Sequence, residues 1–322
     1  MIPDSPRPET VVLQGLPGIG DALWHLPACR AIAAASAAGR IVLAAPARTQ
    51  GARLFAAEPW FGGAIDLARG WAGLRPLAAA LRAGGFARAI ILHHSPTLAV
   101  AAWLAGIPER HGFGYGAQRV LLSSRIALEA SLRRAPQLAR VEALLRRLAI
   151  EPVAPTPLAV APDAARRVAA RLAAMPAPRL ALGLGASEAF KRWPVPAMAR
   201  FVADLAPGRW PSVLLLGAAA DAPIGAAVAA AAARRGVDVV CDLALDESAA
   251  LLATVDRYVG PDSGLLNLAL AMGIPSTGLF GATPVFTRDR RLSALVPPGG
   301  PSAEGMAAIT PQAVLATLTP RA

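Results

Sequence analysis

The amino-acid sequence predicts an α/β chain of two doubly wound, Rossmann-like halves, each built on a parallel sheet. Three observations predict it. Short apolar runs alternate with amphipathic stretches along the chain, the pattern of successive βαβ units. Residues 151–157 read EPVAPTP, three prolines in seven positions, which makes a semi-rigid linker near the middle. Beyond that linker the same alternation begins again. In sheets of this kind ligands bind outside the carboxyl ends of the strands. The residues just after each predicted strand therefore carry the functional reading, and the two halves are expected to face a cleft.

In the first half the predicted strands are Val11–Gly15, Arg40–Pro46, Ala64–Leu67 and Arg88–His94, aliphatic runs bounded by Gly, Pro or polar residues. Asp21–Ala35, Arg75–Ala83 and Thr97–Leu104 are the helices between and after them. A helix over Ala135–Ala149 closes this half, with Leu138, Val141, Leu144 and Leu145 on one face. In the second half the strands are Leu180–Gly185, Ser212–Gly217, Val237–Leu243, Arg257–Gly260 and Thr277–Phe280. The helices are Pro196–Leu205, Pro223–Arg234, Glu247–Ala253 and Gly264–Met272, the last stopped by Gly273, Ile274 and Pro275. A short helix near Pro311–Leu318 ends the chain.

Composition narrows the function. The 322 residues are 55% hydrophobic, enough for two buried cores. Mean hydropathy is +0.46, but the longest weakly charged stretches, Ala89–Pro108 and Trp210–Ala233, are interrupted by polar residues, Gly and Pro. Each reads as a strand followed by a helix rather than a membrane span. The first ten residues lack the basic and apolar regions of a signal peptide. Two distant cysteines, Cys29 and Cys241, form no zinc or disulfide pattern, and the four histidines form no metal motif. A net charge of +11 favours anionic partners. No basic run is interleaved with aromatics, so nucleic acid is not predicted as a partner. Lys191 is the only lysine among 32 basic residues.

Four loops after strands carry candidate chemistry. Gly15-Leu16-Pro17-Gly18-Ile19-Gly20-Asp21 follows the first strand. Its glycines let backbone approach a ligand. Asp21 either caps the next helix or accepts a proton from a substrate hydroxyl. The spacing is not the G-x-G-x-x-G of dinucleotide enzymes, and no cofactor is predicted. The run from Gly183 to Pro194 offers Gly185, Ser187 and the compact cation Lys191 to a diphosphate; a solvated loop charge is the alternative for Lys191. In Gly260-Pro261-Asp262-Ser263-Gly264-Leu265-Leu266-Asn267 a strand gives way to a helix whose first N–H groups suit an anion, while Asp262 can hold sugar hydroxyls. Asp221, after Gly217, either accepts ribose hydroxyls or caps a helix. His93 and His94 end the fourth strand, where they meet an acceptor or serve the core, and Arg110, Arg119 and Arg125 nearby are candidates for acceptor anions or surface residues. No Asp-x-Asp clamp for Mg²⁺ occurs, so charge neutralisation falls to Lys191 and helix N-termini.

Taken jointly, Gly20-Asp21 with Pro27, Trp103-Leu104-Ala105-Gly106-Ile107-Pro108 with Gly112-Phe113, Lys191-Arg192-Trp193-Pro194 and Asp262-Ser263-Gly264 resemble glycosyltransferase family 9, the lipopolysaccharide heptosyltransferases. The resemblance runs from about Val11 to Thr283. It implies a GT-B fold at the cytoplasmic face of the inner membrane, in peripheral contact with it. It implies inverting, metal-independent transfer from ADP-heptose to an anionic glycolipid acceptor. Residues 1–155 would take the acceptor and residues 156–322 the nucleotide sugar. Asp21 is then the base, with Lys191 as the second catalytic group. Ser187 is then a phosphate contact, Asp221 the ribose-binding acid and Asp262, Ser263 and Gly264 the donor loop; Gly20, Leu265 and Asn267 within these motifs, and His93 and His94 from their place after the fourth strand, complete the expected substrate contacts. The family usually has His where this chain has Asn267, which donates hydrogen bonds but carries no charge. A sugar-nucleotide epimerase and a non-catalytic nucleotide-sugar-binding protein share the architecture and are the alternatives.

Overall fold

The computed structural model describes residues 9–68, 70–123, 127–285 and 289–318; Arg125 and the first eight residues lie outside them. The chain divides into two compact units, Met1–Pro155 and Thr156–Ala322.

The first unit runs β1 (Thr10–Leu13), α1 (Ile19–Trp24), α2 (Leu26–Ala34), β2 (Ile41–Ala45), α3 (Gly51–Leu54), β3 (Phe61–Asp66), α4 (Leu74–Gly84), β4 (Arg88–Ile91), α5 (Pro96–Leu104), β5 (Glu109–His111) and α6 (Gln137–Arg147). Its strands are all parallel in the order β3-β2-β1-β4-β5. β1 is buried at every position, as a central strand covered on both faces must be. Val11, Leu13, Ile91, Leu77 and Leu81 join one core.

The single helix expected over Asp21–Ala35 is two helices broken at His25. Pro27 lacks the N–H that would continue the first ladder, so it can stand only in the first turn of a new helix. The strand expected at Ala64–Leu67 starts at Phe61, because Gly62 and Gly63 dilute its β signal. β5 was not predicted: its three residues, Glu-Arg-His, are polar and sit at the sheet edge.

The second unit runs α7 (Pro162–Arg171), β6 (Arg179–Gly183), α8 (Val195–Asp204), β7 (Ser212–Leu216), α9 (Ala222–Ala232), β8 (Val237–Val240), α10 (Leu245–Leu252), β9 (Arg257–Pro261), α11 (Gly264–Ala271), β10 (Ser276–Leu279), β11 (Leu292–Leu295), α12 (Gly305–Ala308) and α13 (Pro311–Thr317). Its parallel order is β11-β10-β9-β6-β7-β8. Trp193, Phe201, Leu182 and Leu215 anchor its own core. The indole of Trp193 donates to the Ile309 carbonyl at 2.9 Å and meets Phe201 edge-on, which ties the Lys191 loop to the body of the unit. The edge strand β11 and the helices α7 and α12 were not expected from sequence.

The stretches Ala89–Pro108 and Trp210–Ala233 resolve into β4 with α5 and β7 with α9. No helix among the described residues is long and apolar enough to cross a membrane. Strand order reverses between β1 and β4 in one unit and between β6 and β9 in the other. Those two switch points are where such sheets open for a ligand.

Candidate functional site

At the first switch point β1 runs into Gly15, and the His93 imidazole beyond β4 lies directly on that glycine. A Cβ placed on Gly15 would stand 2.9 Å from His93 Cγ, so a side chain there would evict the ring. Gly18 caps α1 and Asp21 is its third residue, so Asp21 is not the N-cap that the sequence suggested. Its carboxylate instead reaches back to accept the Gly18 N–H at 2.8 Å. Burial raises the Asp21 pKa, and the Gly18 N–H offsets only part of that. A carboxylate with raised proton affinity at a strand end is chemically suited to take a proton.

Sequence reasoning missed His25, which sits in the helix break, almost wholly buried. Its Nδ1 lies 2.7 Å from the Asp21 carbonyl, which can only accept, so Nδ1 carries the proton. Burial lowers its pKa to about 4, leaving a neutral ring whose Nε2 is buried without a hydrogen-bond partner. His93 is also lowered to about 4, first by burial and then by the charges of His94, Arg140 and His25. His93 and His94 stack with centroids 4.4 Å apart, and Gln118 holds this turn by donating to the His93 carbonyl at 2.8 Å. Arg140 of α6, not singled out from sequence, lies 5.5 Å over the Phe113 ring. Only the fold brings it near His93. Arg110 is not free for an acceptor anion: its guanidinium bonds the carbonyls of Leu121 at 2.7 Å, Pro108 at 3.1 Å and Ile107. Arg119 is exposed.

At the second switch point the loops after β6, β7 and β9 carry the other candidates. Asp221 is buried, and its carboxylate lies against Gly185: a Cβ on that glycine would be 2.2 Å from Oδ2. Oδ2 accepts the Ala218 N–H at 3.0 Å, while Oδ1 faces Arg192 Nη2 at 3.8 Å. Asp221 stands at the N-cap position of α9, but its carboxylate makes no cap bond to that helix and, like that of Asp21, reaches back three residues. Lys191 pairs with Glu188 at 2.8 Å, its Nζ 5.9 Å from the Phe190 ring centroid, on a loop where Ser187 is exposed. Asp262 accepts the Thr283 hydroxyl at 2.9 Å. Ser263 is the N-cap of α11, followed by Gly264 and half-buried Leu265, and its Oγ is buried without a partner. The Asn267 amide donates to the Ser263 carbonyl at 2.9 Å and so steadies the first turn of that helix. Among the described residues no group of three or more His, Cys, Asp or Glu could hold a metal ion.

Two parallel doubly wound sheets, one in each unit, with polar groups beyond their strand ends, give the two-unit α/β architecture of the GT-B fold. The chain belongs to glycosyltransferase family 9 (heptosyltransferase), whose sequence model matches residues 74–304. It is a glycosyltransferase, and the epimerase alternative falls with that assignment. Its fold is similar to Escherichia coli ADP-heptose LPS heptosyltransferase II, with TM-score 0.77 and 24% identity over 96% of this chain and 97% of the other. A family 9 glycosyl transferase from Veillonella parvula matches with TM-score 0.78 and 15% identity over 96% and 95%. E. coli heptosyltransferase WaaC with ADP matches with TM-score 0.74 and 18% identity, covering 96% of each. No curated protein sequence matches the chain.

Proposed function

We propose that this enzyme transfers a heptose, or a related sugar, from an ADP-sugar to a lipopolysaccharide-core-type glycolipid, with inversion and without a metal ion. The observation that carries the reading is Asp21, a carboxylate of raised proton affinity held by Gly18 at the carboxyl end of β1. A glycosyltransferase of this type needs one base for the acceptor hydroxyl and cationic or dipolar groups for the departing diphosphate. Similar structures solved with ADP and with ADP-2-deoxy-2-fluoro heptose support an ADP-linked donor.

In this reading the first unit, residues 1–155, holds the acceptor, and Gly20, Asp21, His93 and His94 are its contacts. Asp21 takes the hydroxyl proton, the oxygen attacks the anomeric carbon, and the bond from that carbon to the diphosphate breaks on the opposite face. The second unit, residues 156–322, holds the donor. Lys191 exchanges Glu188 for the diphosphate, Ser187, Ser263 and the Gly264–Leu265 N–H groups contact its oxygens, and Asp221 and Asp262 take sugar hydroxyls. Asn267 steadies that turn and brings no charge. The protein works at the cytoplasmic face of the inner membrane, in peripheral contact with its lipid-linked acceptor.

Calorimetric titration with ADP, UDP, GDP and NAD, with and without Mg²⁺, tests this. Binding is expected for ADP, independent of Mg²⁺, and at least tenfold weaker in Lys191→Ala, the loss of one charge-assisted contact. Preference for UDP or GDP would discard the ADP-sugar, and NAD binding would overturn the site assignment.

A further inference from the structure

Tyr258 of β9 is wholly buried, yet its hydroxyl has no hydrogen-bond partner. The register explains where that hydroxyl lies. Tyr258 pairs with Ala181 of β6, so Gly183 and Gly260 come two residues further along the adjacent strands, on the same face of the sheet. Two residues along a parallel strand is about 6.6 Å, within the reach of a tyrosine laid along the strand. A Cβ on Gly183 would stand 2.0 Å from Tyr258 Oη, and one on Gly260 2.4 Å. Both strands next to the switch point thus carry glycine where this ring passes, and the phenol points toward their carboxyl ends. Gly185 follows two residues beyond Gly183, past the end of β6, with the Asp221 carboxylate against it, and Asp262 follows two residues beyond Gly260, past the end of β9. The Tyr258 hydroxyl is the floor beneath the diphosphate-facing turns.

A phenylalanine would fill the same space without burying an unsatisfied hydroxyl, which costs free energy in any fold. A second orphan lies beside the first. Ser263 Oγ is likewise buried without a partner, and it is near enough to Tyr258 to offset part of the rise that burial imposes on the phenol pKa. The phenol therefore stays protonated and can only be useful as a donor or acceptor of that one proton. The phenol can donate to the serine, and the serine, at the N-terminus of α11, is then left with its own proton for a ligand that brings free acceptor oxygens.

We propose that Tyr258 is a positioning residue for the donor diphosphate: its hydroxyl donates to Ser263 Oγ, which in turn donates to a phosphate oxygen. This rests on the reading that the second unit binds a nucleoside diphosphate. The phenol fixes the direction of the serine proton, so that Ser263 meets the anion already oriented.

The test uses the full chain and calorimetric titration with ADP and with adenosine for wild type, Tyr258→Phe, Ser263→Ala and the double variant, with thermal melting of each. Tyr258→Phe is expected to melt no lower than wild type, to bind ADP about tenfold more weakly and to bind adenosine unchanged. Ser263→Ala should show the same loss, and the double variant no more than either single change, because one chain is broken in all three. Wild-type ADP affinity in a stable Tyr258→Phe, or equal losses for ADP and adenosine, would overturn the proposal while leaving the diphosphate site standing. Wild type that binds no nucleoside diphosphate would sink both.

Discussion

Asp21 is pulled two ways, and the balance decides its chemistry. Burial opposes its negative charge and the Gly18 N–H at 2.8 Å favours it, with burial the larger effect. Its turnover should therefore have an acid limb above the ordinary carboxylate range, since only the ionised form accepts a proton. Asp21→Asn keeps an acceptor for Gly18 but cannot act as a base, so turnover should fall by roughly 10²–10⁴-fold while ADP affinity is unchanged. Wild-type turnover in this variant would remove Asp21 from the role. His25 makes a separate prediction. Its pKa is about 4 in the folded chain against 6.5 when free, so between those values the unfolded chain binds the extra proton. Stability should rise with pH through that window and fall as pH drops from about 6.5 toward 4, by up to roughly 3 kcal/mol from this one group. Melting curves at pH 7 and pH 4.5 should show a smaller pH-dependent loss in His25→Gln than in wild type; an equal loss would assign the effect elsewhere.

At the scale of elements, loops of glycine let polar side chains occupy the ends of the sheets. Gly15 makes room for the His93 ring and Gly185 for the Asp221 carboxylate. Gly185→Ala would push its Cβ to 2.2 Å from Asp221 Oδ2, closer than real carbon atoms come, so the carboxylate must leave its contacts with Ala218 and Arg192. Donor affinity should drop at least tenfold, about 1.4 kcal/mol. Gly208→Ala, where a Cβ meets nothing within 4 Å, is the matched control and should bind as wild type. Equal affinity in both variants would mean that Asp221 does not shape the donor site. The strand–glycine–helix order of these loops is legible in sequence, as is the position of Asp262, Ser263 and Gly264 after β9. The helix break at His25 is less so. Pro27 announces it, but the apolar pattern of Asp21–Ala35 runs straight through.

At the scale of the molecule, the charge of +11 acts as a field rather than as contacts. Exposed charges attract an anionic acceptor over about 10 Å at 0.1 M salt and about 3 Å at 1 M. KM for the glycolipid acceptor proposed above should rise several-fold between these salt concentrations, with kcat changing less. A KM indifferent to salt would argue that the arginines do not guide the acceptor. Each unit encloses its own apolar core, around Leu13 and Ile91 in one and Trp193 and Leu182 in the other. The alternation of apolar runs made those cores and the two-unit division readable. The short edge strands β5 and β11 were not: the Glu-Arg-His of β5 is polar, and the Leu-Ser-Ala-Leu of β11 is too short a run to stand out, while an edge strand of three or four residues can pair without one.

The sequence by itself determined the βαβ alternation, the proline linker, and the residues that follow β1, β6, β7 and β9, since each depends on local pattern and on what glycine, proline and aspartate do to backbone. Only the tertiary structure decided which of those loops are neighbours. His93 on Gly15, Arg140 near His93, and Asp221 on Gly185 are contacts between residues far apart in the chain, and they follow from strand order. So does the Tyr258 phenol lying over Gly183. Strand sequences of Val, Leu and Ile specify burial but not which strand lies beside which. The neighbour is chosen by packing the whole sheet, and the chemistry at its carboxyl end is inherited from that choice.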